Sequence, residues 1–410
     1  MTAAKRLTVS HGVRSRERQG ARLLFPAVMI LAGLAAPLAA RAEHALVVLA
    51  TSHNDPSWVG KHVEQIESRP FDGMVINDYL GRNLINTKLK NDSPNSLEAS
   101  GAVSYEVSVR SLAPLKGAFK KFHYNFVKVN FNLVGAPPLL NDDAGWQLAM
   151  TSATNYARAI AETGLKGIFL DNETYLHPPA NGKSSGDYWL YEDQIAYEHQ
   201  SPSAMPLAAA YALARRRGHE FMVALTRGYP GITVIVAHGA NEGCESWKQM
   251  SGHFAHDRYL SAAFAGGMID ATGGGAKFVD GGEDYDLHSA RDFEMARGFR
   301  KGGGGGGITR LGAGKCPFMD ETLAQNWNKV SVGFSVFDKE RARPGAGEYR
   351  PIESPAEFHD ILLNALRSAD EYTWLYTQWQ DWFGDSGDDK LRPYVAAIEA
   401  ARRDAGMRPQ

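Results

Sequence analysis

The 410-residue chain carries 44 Lys and Arg against 46 Asp and Glu, a formal net charge of −2. Its first 42 residues hold seven of the basic side chains and one of the acidic ones, so residues 43–410 carry 37 and 45, a net charge of −8. That balance argues against a nucleic-acid binder, whose affinity rests on clustered Lys and Arg, and suits neutral or cationic partners.

The chain begins with a basic front, Arg14, Arg16, Arg18 and Arg22, followed by the apolar run Leu23 to Ala40 and the small-x-small triplet Ala40-Arg41-Ala42. This reads as a secretory signal peptide over residues 1–42, and it predicts a secreted or periplasmic protein with no membrane association after cleavage. The other reading is an uncleaved anchor of about 18 residues; Pro26 and Pro37 and the cleavage pattern weigh against it. Two cysteines, Cys244 and Cys316, allow at most one disulfide, and two separate thiols are the alternative.

Beyond residue 42, apolar runs of strand length alternate with helical patterns. The strands are expected at Ala45–Ala50, Gly73–Asn77, Phe126–Asn132, Gly167–Asp171, Thr233–His238, Lys277–Asp280, Ser331–Phe337 and Thr373–Trp379. Helical patterns fall at Ala144–Thr163, with Asp142 and Asp143 placed to cap it, and at Ala204–Gly228, Ser289–Phe299 and Pro355–Ser368. Eight β/α alternations predict a single (β/α)8 TIM barrel over residues 43–410 with elaborated loops at its C-terminal face. A doubly wound open sheet is the competing fold, but no Gly-rich fingerprint follows the first strand. Gly302 to Gly307 reads as a flexible rim loop. Gly312-Ala313-Gly314-Lys315-Cys316 is not a phosphate loop, because Thr309 stands where the first Gly belongs and Cys316 where Ser or Thr would bind magnesium. A mobile loop over the rim is the reading kept, and whether Cys316 ties it to Cys244 is left open.

Most of the strands end in a polar or acidic cluster, and in a barrel these ends converge on one rim. Candidate substrate-binding residues from those ends are Asp55, Asp78, Asn132, Tyr175, His238, Asn241 and Glu242. Alternation along Gly167 to Glu173 places Phe169, Asp171 and Glu173 on one face, with Ile168 and Leu170 toward the helices. Two carboxylates crowded on one face cannot both ionise freely, and a carboxyl with a raised pKa suits protonation of a glycosidic oxygen. Glu173 is therefore the expected general acid and Asp171 the group that tunes it. Glu283, beside Gly281 and Gly282, or Asp338 is the expected base or nucleophile. Trp379 and Trp382, close to the end of the last strand, are candidate platforms for sugar rings, and Trp58 and Trp189 could extend them. His253 and His256 lack the glutamate of a zinc-protease motif, so neither a metal nor a cofactor is expected.

The segment Lys166-Gly167-Ile168-Phe169-Leu170-Asp171-Asn172-Glu173 resembles the strand-four signature of chitinase-like barrels, Asp-Gly-x-Asp-x-Asp-x-Glu. The match holds at Asp171 and Glu173, with Lys166 and Phe169 at the first two Asp positions. That resemblance implies Glu173 as the acid, with Asp171 supporting a substrate acetamido group that acts as nucleophile. Asn172-Glu173 also resembles the Asn-Glu pair ending strand four of retaining glycosidases, whose second Glu at strand seven is replaced here by Asp338. Both imply a glycoside hydrolase with a carbohydrate substrate; neither bears on oligomeric state. The alternatives are a non-catalytic carbohydrate-binding barrel and a metal-dependent hydrolase using His238, Glu242 and the strand-end acids.

Overall fold

The computed structural model describes residues 44–85, 101–131, 137–173, 188–192, 194, 205–244, 258–302, 307–311, 315–341, 349–351, 354–378, 380–384 and 388–407. The expected leader over residues 1–42 lies outside them. Eight parallel strands follow in chain order: β1 (Ala45–Ala50), β2 (Gly73–Ile76), β3 (Phe126–Asn130), β4 (Gly167–Asp171), β5 (Thr233–Val236), β6 (Lys277–Asp280), β7 in two pieces (Val330–Val332 and Phe334–Phe337) and β8 (Tyr372–Thr377). Each pairs with the next in sequence, and β8 pairs with β1. The break at Gly333 completes the ring. The first piece of β7 pairs with β6 and the second with β8, while the Gly333 N–H donates to the Asp280 carbonyl at 2.7 Å. The chain is thus a (β/α)8 barrel, and a short antiparallel hairpin, Lys339–Arg341 with Tyr349–Pro351, follows β7.

Alternation sorts the strand side chains into two apolar layers. Val47, Phe126, Phe169, Ile235, Val279 and Trp374 fill the barrel interior. Leu46, Ile168, Leu170, Val234, Val236 and Leu375 face the helices. Placing Phe169 inward and Ile168 and Leu170 outward agrees with the sequence, and it sets the direction in which Asp171 leaves the strand.

Among the described residues, the helices of six residues or more are α1 (Pro56–Lys61), α2 (Tyr105–Leu112), α3 (Asp143–Thr163), α4 (Leu207–Gly228), α5 (Ser261–Ala271), α6 (Ala290–Arg300), α7 (Glu321–Asn326), α8 (Pro355–Ser368) and α9 (Asp388–Asp404). Capping explains where several begin. The Asp142 side chain accepts from Gly145 N–H at the start of α3, Ser289 and Asp292 form a capping box on α6, and Ser354 with Pro355 starts α8. Helix α5 had no signal in the sequence because nearly every residue in it is buried, leaving no polar stripe to reveal a helical period.

Helices α4 and α5 meet backbone to backbone. A methyl on Gly218 would stand 1.8 Å from the Phe264 carbonyl oxygen, and one on Gly267 would stand 1.9 Å from that of Arg215. The loops above are tied by a disulfide between Cys244, which follows β5, and Cys316, which precedes α7, with both cysteines buried. Of the two readings left open by the sequence, a disulfide or two separate thiols, the structure has the disulfide. Among the described residues no helix is long and apolar enough to cross a membrane.

The reciprocal glycine contact yields a prediction of reversed sign. Gly to Ala inside a helix ordinarily stabilises by about 1 kcal/mol. Gly218→Ala and Gly267→Ala should instead each destabilise by about 1–3 kcal/mol through overpacking, seen as lower denaturation midpoints. A midpoint at or above that of the parent chain would contradict the contact.

Candidate active site

The mouth of the barrel is built from strand ends β3 to β6. On β3, Phe126, Lys128 and Asn130 share the inward face, so a lysine and an asparagine reach the interior beside β4. Lys128 Nζ lies 2.7 Å from Asp171 Oδ2, and Asn130 Nδ2 donates to the same oxygen at 2.9 Å. The other Asp171 oxygen accepts from the Glu173 N–H at 3.2 Å. Asp171, buried and satisfied on both oxygens, fixes the backbone that carries Glu173.

Asn172, between them, points the other way. Its amide donates to the His238 carbonyl at 3.0 Å and the Ser261 hydroxyl at 2.7 Å, while its oxygen accepts from the His238 N–H at 2.9 Å. This ties the end of β4 to the segment after β5 and to the start of α5. Trp189 completes the brace by donating its indole N–H to the Asn172 carbonyl at 2.8 Å.

His238 is the centre of the site. Its Nδ1 meets Glu242 Oε1 at 2.5 Å, an approach made by the single helical turn Ala240–Gly243. Its Nε2 stands 3.3 Å from Glu173 Oε1 and 3.3 Å from Glu283 Oε2. One oxygen of Glu173 and one of Glu283 also lie within 4.8 Å of each other. The second Glu283 oxygen accepts from the Tyr285 hydroxyl at 2.5 Å, and the Tyr285 ring packs with Phe337 and Tyr376 at 4.6 and 6.0 Å. An aromatic wall therefore stands beside Glu283, made by β7, β8 and the loop after β6.

Four carboxylates, Asp171, Glu173, Glu242 and Glu283, crowd around two cations, Lys128 and His238. Burial alone would lower the His238 pKa, but Glu242, Glu283 and Glu173 together hold it well above its usual value. The surrounding carboxylates thus favour the protonated imidazole. For Glu283, burial and then the charges of Glu173 and Asp171 outweigh the His238 cation and the Tyr285 hydrogen bond, raising its pKa to about 7. Glu242 is also raised, chiefly by burial. A proton shared among buried acids can be delivered to a leaving group at neutral pH.

No protein-family model matches the chain, and no curated protein matches it by sequence. Similar solved structures include a family-5, subfamily-18 glycoside hydrolase from Streptomyces cattleya in complex with GlcNAc. It is 13% identical, covers 90% of this chain and 82% of its own, and has a TM-score of 0.49. A family-5 enzyme from Prevotella bryantii B14, solved with a xyloglucan oligosaccharide, is 11% identical over 88% and 95% at a TM-score of 0.42. A β-1,4-D-mannanase from Cryptopygus antarcticus is 8% identical over 88% and 91% at 0.40. At these values the barrel rests on its own strand pairing.

The structure distributes the remaining candidates unevenly. Glu173, Glu283, His238 and Glu242 come together, with Asp171 behind them. Asn241 is buried on the turn that carries Glu242. Asp338 is not in the group. Its two oxygens accept from the Gln378 and Gln380 backbone N–H groups at 3.0 and 2.7 Å, latching the chain after β8. Asp55 caps α1, accepting from Ser57 and Trp58 N–H. Asp78 is buried and accepts from Ser111 and Tyr156 hydroxyls at 2.6 Å each, joining α2 and α3. Trp382 is a correction to the expected sugar platform: it is buried, edge-on to Phe71. Trp189 is likewise core, against Phe131 and Phe264. One side of Trp58 is stacked by His62 at 4.1 Å. Asn132, Tyr175, Trp379, His253 and His256 lie outside the described residues. Sequence reasoning missed Lys128 and Tyr285, although Lys128 interrupts an apolar strand at an inward position.

The raised Glu283 pKa has a consequence for stability. Between its ordinary value of 4.5 and about 7 the folded state holds a proton that the unfolded chain has released, so stability falls as pH rises through that window. Glu283→Gln removes this dependence. Its stability relative to the parent should therefore grow from pH 4.5 to pH 8 by up to about 3 kcal/mol, read from denaturation midpoints at each pH. A constant difference between the two proteins would refute the buried proton.

Proposed function

We propose that the protein is an exported glycoside hydrolase in which Glu173 and Glu283 act as the working carboxylate pair. The observation that carries this is geometric. Two glutamates from different strand ends bring one oxygen each within 4.8 Å of the other at the C-terminal mouth of the barrel, with His238 between them and an aromatic wall alongside. A separation of about 5–5.5 Å suits a retaining double displacement, whereas inversion needs roughly 6.5–9.5 Å to admit a water.

The surroundings divide the roles. Glu283 is the more enclosed, its side chain 15% exposed against 35% for Glu173, and it lies beside the aromatic rings. Enclosure favours the neutral carboxylic acid. Glu283 then donates its proton to the glycosidic oxygen as that bond breaks, and the Glu173 carboxylate forms a bond to the anomeric carbon. Water attacks the resulting ester, giving its proton to Glu283 and releasing Glu173. His238 orients and balances both carboxylates, and Asp171 holds the Glu173 backbone. This reverses the division expected from the sequence, in which Glu173 was the acid. The basic and apolar leader together with the Cys244–Cys316 disulfide supports an oxidising compartment outside the cytoplasm.

The test is sugar release from a panel of polysaccharides and aryl glycosides. Glu173→Gln and Glu283→Gln should each lower turnover by about 10²–10⁴-fold, with the Glu173 variant keeping its thermal midpoint. Undiminished turnover in Glu173→Gln would remove that residue from the chemistry.

A further inference from the structure

His238 Nε2 is closed off from solvent and stands 3.3 Å from one oxygen of each glutamate, yet neither oxygen meets it with hydrogen-bond geometry. A buried nitrogen aimed between two carboxylates without bonding either is a poor arrangement for a proton alone. It is a good one for an ion. Ligand atoms held about 2.0–2.2 Å from a tetrahedral metal stand about 3.3–3.6 Å from one another, which is the spacing from Nε2 to each glutamate. The third side, from Glu173 to Glu283, lies within 4.8 Å, and rotation of the more exposed Glu173 side chain can shorten it.

The surrounding contacts leave the right atoms available. Glu242 takes Nδ1 of His238 at 2.5 Å, so a bound ion would displace the Nε2 proton to solvent and take that nitrogen as its donor atom toward the cluster. A carboxylate behind a ligating histidine is the common outer support of such sites, fixing its tautomer and orientation. Tyr285 takes Oε1 of Glu283 at 2.5 Å, leaving Oε2 turned toward His238. Lys128 and Asn130 occupy Asp171, so it does not compete. The partial exposure of Glu173 leaves an open side for water or another ligand.

We propose that Glu173 Oε1, His238 Nε2 and Glu283 Oε2 form a three-ligand site for a first-row divalent cation of the Zn2+ type, supported by Glu242. One imidazole and two carboxylates suit Zn2+ better than Mg2+ or Ca2+, which prefer sets made of oxygen alone. The three ligands come from the ends of β4, β5 and β6, so no local spacing in the sequence announces them. The site stands apart from the hydrolytic reading, since it needs only the geometry. If both hold, the ion and the sugar compete for the same carboxylates, and occupancy switches hydrolysis off.

The experiment uses the chelator-treated, dialysed protein titrated calorimetrically with ZnCl2, and with MgCl2 in parallel. One Zn2+ per chain is expected, together with a raised thermal midpoint. Affinity should fall about 10–100-fold in Glu242→Gln and further in Glu173→Gln and His238→Ala, with far-ultraviolet circular dichroism unchanged. If His238→Ala does not fold, the two glutamine variants decide. No stoichiometric uptake by the parent, or uptake that these variants leave unaltered, overturns the site. Sugar release with and without Zn2+ separates this inference from the hydrolytic one. Release that falls with Zn2+ and returns on chelation supports both. Release that requires Zn2+ supports the site and overturns the metal-free pair. No release from any substrate overturns hydrolysis alone, while the titration still decides the metal.

Discussion

The contact on which the rest of the mouth depends is the His238 imidazole set among Glu173, Glu242 and Glu283. Without a cation there, three carboxylates from the ends of β4, β5 and β6 would repel one another in a partly dehydrated cavity. With it, Glu173 and Glu283 are held close on either side of Nε2. Glu242 does not face the pair; it takes Nδ1 and so directs Nε2 toward the other two. The electrostatic tuning of Glu283 follows from this placement, and so does the spacing that would admit a divalent ion.

The barrel delivers these groups by simple means. Parallel pairing in register sets Asn130 beside Asp171 across β3 and β4, and the Asn172 amide then couples β4 to the His238 backbone. Lys128 neutralises Asp171, which lets Asp171 act as a backbone anchor. Behind the site, Asp280 is paired with buried Arg300 at 3.1 Å, which keeps a further acid at the end of β6 out of the cluster. The seventh strand closes the ring only by breaking at Gly333, and its end carries Asp338 into a structural latch.

Much of the scaffold was legible in the chain because buried parallel strands are continuous apolar runs, and all eight fell within two residues of their expected bounds. Alternation was enough to turn Phe169 and Asp171 inward. The site was legible only as a set of strand-end acids. Which of them meet depends on loops: Glu242 reaches His238 through one short turn, and Glu283 reaches it through Gly281-Gly282, where Gly282 adopts φ 55°. In sequence Asp338 stood level with Glu283 and Asp78 stood among the substrate-binding acids, but a backbone latch claims the first and helix packing the second. Trp382 read as a sugar platform by its position after a strand, whereas its burial against Phe71 is a long-range contact that no local pattern encodes. Lys128 was not singled out, because its role depends on Asp171 across the neighbouring strand, a contact that no local pattern encodes.

The most direct measurement is the anomeric configuration of the first-formed sugar, followed by proton NMR from the earliest minutes of hydrolysis of a substrate found by screening. A Glu173 oxygen and a Glu283 oxygen within 4.8 Å of each other predict retention. A product of inverted configuration would contradict the pairing of Glu173 with Glu283.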